Sequence, residues 1–146
     1  MLRQNSSQNI FSLTEVTGVS GSVIFPIIPC DWSVAVAKLY NAGFAGSSPT
    51  LDVYLQTQDP QTGTFFDVAH FAQETGAVTE ANAVFVSFGK PQGYVGVPGQ
   101  SHIAAGTVSG LPLLSRTMKV VYTYGGTVGT STATLSIEAV DQDIPG

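Results

Sequence analysis

Charge is scarce in this chain. Of its 146 residues only 10% are Asp, Glu, Lys or Arg, against roughly 25% in an average soluble protein. Just five are basic, Arg3, Lys38, Lys90, Arg116 and Lys119, and they are scattered. Nucleic-acid binding needs a clustered basic footprint to displace counterions from phosphates, so that class is excluded. Cysteine occurs once, at Cys30, which rules out an intrachain disulfide and leaves a small buried hydrophobe as the expected role. No window reaches the roughly 18 consecutive apolar residues of a membrane span. Met1 to Ile10 lacks the apolar stretch of a signal peptide. A soluble protein made in a cytoplasm, with no membrane partner, is expected.

Histidine is almost as rare, and the two present, His70 and His102, do not fall into a catalytic pattern. On a regular strand Asp67 and His70 have opposite parity and face opposite sides of the sheet, which excludes a local acid–base pair. Ser101 beside His102 lacks a nucleophile turn, and Gly18-Val-Ser20-Gly21 lacks the Gly-x-Ser-x-Gly spacing. Cys30, His70 and His102 show no zinc-ligand spacing. Asp141-Gln-Asp143 lacks the glycine and distal Glu of a calcium loop, and Gly89-Lys90 lacks the rest of a phosphate loop. Neither an enzyme nor a cofactor is expected.

Glycine and proline, by contrast, abound: 16 Gly and 8 Pro break up any 3.6-residue stripe, and β-branched residues fill the intervals. Eight strands are predicted: Ile10 to Thr17, Ser22 to Ile28, Trp32 to Tyr40, Leu51 to Thr57, Phe65 to Ala72, Ala83 to Phe88, Thr117 to Tyr124 and Ala133 to Val140. Pro26 puts the second at a sheet edge. The fourth is the clearest, with Leu51, Val53 and Leu55 on one face and Asp52, Tyr54 and Gln56 on the other. Met118, Val120, Tyr122 and Tyr124 share a face of the seventh, and Leu135 and Ile137 point inward from the eighth. Asn41-Ala-Gly43 with Ser47-Ser-Pro49, Asp59-Pro-Gln-Thr-Gly63, and Gly125-Gly126 with Gly129 are the expected turns. The fold class is all-β, an antiparallel β-sandwich with the strand count of a jelly roll.

The organisation follows: an N-terminal arm over 1–9, then a single domain over 10–146, of a size that buries about 68–70% of the surface of its unfolded chain. One stretch breaks the rhythm. From Gly89 to Ser115, six glycines and three prolines surround Tyr94, Val95, Val97, Ile103 and Leu111. Long loops without regular structure are uncommon unless functional, and this one is too apolar for a plain linker. It reads as an extended arm or loop, or else as two irregular strands of the sandwich. The aromatics Trp32, Tyr54, Tyr94, Tyr122 and Tyr124 keep a carbohydrate-binding module in view. Trp32 is expected in the core and Tyr54 exposed.

The segments Leu51-Asp-Val-Tyr-Leu-Gln-Thr57, Asp59-Pro-Gln-Thr-Gly-Thr-Phe65, Leu111 to Gly126 and Ala133-Thr-Leu-Ser-Ile137 together resemble the small jelly-roll cement or decoration proteins of tailed-bacteriophage capsids. The likeness covers Leu51 to the C-terminus. It implies a virion structural protein on the capsid surface, made in the host cytoplasm, whose partners are the major capsid protein and further copies of itself in a dimer or trimer. Contacts are expected from the N-terminal arm and from Tyr94, Val97, Pro98, Ile103 and Leu111. A tail or baseplate adaptor is the other virion role such a sandwich would suit.

Overall fold

The computed structural model describes residues 6–15, 19–26, 34–75, 80–86, 103–109 and 113–141. They form seven strands: β1 (Ser6–Glu15), β2 (Gly21–Pro26), β3 (Val34–Gln58), β4 (Phe65–His70), β5 (Glu80–Val86), β6 (Thr107–Val108) and β7 (Thr117–Asp141). All pairings are antiparallel, so the all-β expectation holds. Among the described residues no helix is long and apolar enough to cross a membrane. Cys30, Trp32, Tyr94, Val97, Pro98, Ser101, His102, Leu111 and Asp143 lie outside the described residues.

Among the described residues there are seven strands where eight were predicted, because four predicted strands merge into two and the short β6 is added. β3 and β7 run side by side from Val34↔Val140 to Thr57↔Met118. In one half of this ribbon β5 flanks β3 and β1 flanks β7. In the other half β4 and then β6 flank β3, while β2 flanks β7. Gly21–Pro26 pairs along β7 and closes that half, the edge position that Pro26 suggested.

The turns predicted at Asn41-Ala-Gly43, Ser47-Ser-Pro49 and Gly125-Gly126 are bulges instead. Register shifts fall between Asn41 and Phe44, Ala45 and Gly46, and Ser47 and Thr50. Gly46, Ser48 and Gly126 carry φ of 152°, 47° and 68°. Turn-forming residues supply the unusual backbone angles, but the ladder survives through Phe44↔Ser131, Ala45↔Thr130 and Ser47↔Thr127. Bulges let a paired ribbon bend without dissolving its hydrogen bonds.

The bend closes the two halves face to face. Leu39, Ala133 and Leu135 from one half line the same small cavity as Leu51, Val53, Val120 and Tyr122 from the other. On a straight strand, at about 3.3 Å per residue, Leu39 and Val53 would stand roughly 46 Å apart. The core between the halves contains Leu39, Leu51, Leu55, Met118, Val120, Leu135 and Ile137, all buried, as the period of two anticipated. Each such side chain contributes about 1.5–3 kcal/mol on leaving water.

One further expectation is corrected and one open alternative is narrowed. Ser6 to Asn9, assigned to the N-terminal arm, pair with Asp141 to Glu138 as the start of β1, because a polar edge strand has no hydrophobic alternation to announce it. Residues 103–109 and 113–115 of the predicted loop are stitched to the domain. Thr107–Val108 pairs with β4, Leu113 is buried, and Leu114 N–H donates to Thr57 Oγ1 at 2.9 Å. Their anchors are polar groups on distant strands, which composition does not reveal.

Candidate functional site

Asp52, Tyr54 and Gln56 project from β3 on the face opposite its core residues, and β4 lies alongside them. The register pairs Tyr54 with His70, Leu55 with Ala69 and Gln56 with Asp67. Val68 is therefore an extra residue. This bulge overturns the parity argument for Asp67 and His70: one inserted residue brings both side chains to the face of Tyr54 and Gln56. Gln56 Nε2 donates to Asp67 Oδ1 at 2.9 Å, and the His70 ring stacks on Tyr54 with centroids 3.8 Å apart and planes 22° apart.

Together the two side chains grip the backbone of one residue, Ile103, on both its N–H and its C=O. Ile103 N–H donates to Asp67 Oδ2 at 3.2 Å, and Ile103 O lies 2.9 Å from His70 Nδ1. His70 Nε2 lies 3.0 Å from Asp52 Oδ1, and Gln73 Nε2 donates to Asp52 Oδ2 at 2.8 Å. The grip continues along the segment. Gly106 N–H donates to His70 O at 2.8 Å, Ser109 N–H to Val68 O at 2.9 Å, and Ser109 Oγ to Asp67 O at 2.7 Å. Gly106 takes φ of 77°, a left-handed turn suited to glycine.

The cluster is nearly dry: Asp67 is 2% exposed and His70 6%. Burial, followed by the charges of Asp52 and Asp67, pushes the Tyr54 phenol above its ordinary value. Chemically the arrangement positions a chain segment, for its carboxylate oxygens and ring nitrogens are engaged with Ile103 and with neighbouring side chains. Tyr54, expected to be exposed, is half-buried with a ring face against His70.

Of the predicted contact residues, the structure places Ile103 half-buried with its backbone in this grip. Tyr94, Val97, Pro98 and Leu111 lie outside the described residues. The gripped stretch instead presents Val108, 50% exposed, and shortly after it Leu114, 36% exposed. Both sat unremarked in the apolar composition of the same stretch. The bulge at Val68 has no sequence signal, so the meeting of Asp67 with His70 was not legible. Val19, beside β2, and Ile24, on it, are exposed as well.

Neither a protein-family model, a curated protein nor a solved structure matches this chain.

Proposed function

We propose that this protein is a virion structural subunit, a jelly-roll cement or decoration protein that binds and stabilises a phage head shell. Its partners in this reading are the major capsid protein and further copies of itself. The observation that carries the reading is exposed apolar side chains on fixed supports: Val108 lies on the segment that Asp67 and His70 tie to the sheet, and Leu114 is held through its N–H on Thr57 Oγ1. Interface energy concentrates in apolar anchors on preorganised elements. A chain with 10% charged residues has little self-repulsion to oppose assembly. The face-to-face halves support the sandwich part of the proposal, since strands that switch sheets at bulges are one way to build such corners.

The test is co-sedimentation of the purified protein with shells that lack it. Wild-type protein is expected to pellet with shells. A Val108→Asp/Leu114→Asp variant should bind at least about 10-fold more weakly, the scale of one lost hot spot, with its thermal unfolding nearly unchanged because both side chains are exposed. Failure of wild-type protein to bind shells overturns the reading, as does its detection only on tails in labelled particles.

A further inference from the structure

The grip on Ile103 implies a proton count. A backbone carbonyl oxygen only accepts, so His70 Nδ1, 2.9 Å from Ile103 O, makes that bond only if it carries a hydrogen. A carboxylate also only accepts, so Nε2, 3.0 Å from Asp52 Oδ1, needs a hydrogen too. Neutral imidazole has one N–H. Both contacts are bonds only when the ring is doubly protonated; in the neutral ring one of them sets a lone pair against a lone pair.

Two titratable side chains of β3 touch the ring. Asp52 and Tyr54 face it from β3, and Asp67 stands three residues back on β4. No residue of 103–109 titrates. The next acid along the chain, Glu74, has its backbone paired with Leu51. Gln73 holds the second oxygen of Asp52, and stacking on Tyr54 holds the plane of the imidazole. The ring is thus fixed facing two acceptors.

We infer that His70 is a proton-dependent latch: the doubly protonated ring holds residues 103–109 against β4, and loss of one proton loosens that segment. Histidine side chains ordinarily change charge between about pH 5 and 8, so the segment is tightest on the acid side of this window. The bonds from Ile103, Gly106 and Ser109 N–H to β4 remain, which makes the response a loosening. This inference goes beyond the shell-binding reading and does not depend on it.

Amide hydrogen exchange at Ile103, Gly106 and Ser109, corrected for intrinsic rates, reads the latch directly. The Leu51 and Phe71 amides, bonded to Glu74 O and Val53 O, serve as internal references. Between pH 5.5 and pH 8 the three protection factors should fall roughly 10- to 100-fold relative to the references, the scale of one hydrogen bond to a charged group. Asp52→Asn should abolish the step, because the Asn amide can donate to the bare nitrogen of a neutral ring. His102→Gln should leave the step in place. Nitrogen-15 shifts of the His70 ring in the wild-type protein should report both nitrogens protonated at pH 5.5, a reading that does not require the variants to fold. A pH-independent wild-type profile, a step that persists in Asp52→Asn, or a singly protonated ring at pH 5.5 would each overturn the latch.

Discussion

The phenol oxygen of Tyr124 lies 2.8 Å from the hydroxyl of Ser131, seven residues further along the same strand. On a straight strand those residues would stand roughly 23 Å apart, at about 3.3 Å each. The bond is a tie across the bend of β7, and the Phe44 and Tyr124 rings meet edge to face with centroids 6.2 Å apart. Ser131 is buried, so Tyr124→Phe should cost about 1–2 kcal/mol in urea unfolding by stranding its hydroxyl. Ser131→Ala should cost a similar amount. The double variant should cost little more than either single one, a coupling of about 1 kcal/mol.

The backbone of the bend should be less forgiving than its side chains. A methyl group at Gly126, where φ is 68°, would run into the carbonyl oxygen of Ser48, and one at Gly46 into that of Thr127. Gly126→Ala should destabilise by about 2 kcal/mol or more, since strain and a backbone clash combine. Gly129→Ala is the contrast. Its nearest neighbour would be Ala45 O at 3.4 Å, and its thermal midpoint should stay within a few degrees of wild type.

The same bend shows what could be read from sequence and what could not. Alternation at Leu51, Val53 and Leu55 and at Leu135 and Ile137 placed the core correctly, because burial enforces a period of two. Asp59, Pro60 and Gly63 announced a hairpin, and Gly63 N–H does donate to Asp59 O at 2.9 Å. Turn residues at 41–49 and 125–129 were equally visible. Local chemistry could not tell a chain reversal from a bulge, because the outcome depends on whether a partner strand bends along with it. The partner here lies across the whole sequence. Likewise the grip on Ile103 rests on one inserted residue, Val68, which leaves no periodic trace in six residues of strand.

The tyrosines should separate on alkaline titration. Burial and the carboxylates of Asp52 and Asp67 raise the Tyr54 phenol above 10.0, so the neutral phenol is favoured in the folded protein. Its contribution to stability is complete below that value and is lost as pH rises through the higher folded one. Absorbance near 295 nm should show a late-ionising component that disappears in Tyr54→Phe.

The hairpin tip should respond to acid. Asp59 lies below its ordinary 3.8, chiefly through the Gln61 N–H that donates to Oδ1 at 2.9 Å and next through the Thr62 hydroxyl that donates to Oδ2 at 2.7 Å. A depressed carboxyl contributes above its unfolded value, and the contribution is lost as pH falls through the folded one. The Gln61 amide resonance should move in that acid range in the wild-type protein. In Asp59→Ala it should already stand near its acid-limit position at neutral pH.

β7 is the last of the seven strands in chain order, yet it is the partner of β1, β2 and β3 and runs through both halves. On a ribosome, the first three strands must therefore wait, unpaired along their β7 edges, until Thr117 to Asp141 has emerged. Pairings such as Val34↔Val140 close very long loops, a topology associated with slow folding. The nascent chain has few charges to discourage wrong partners during that delay. Yield in the cell should depend on the speed of that final step, and slowing synthesis upstream of Thr117 should lengthen the exposure without helping the fold.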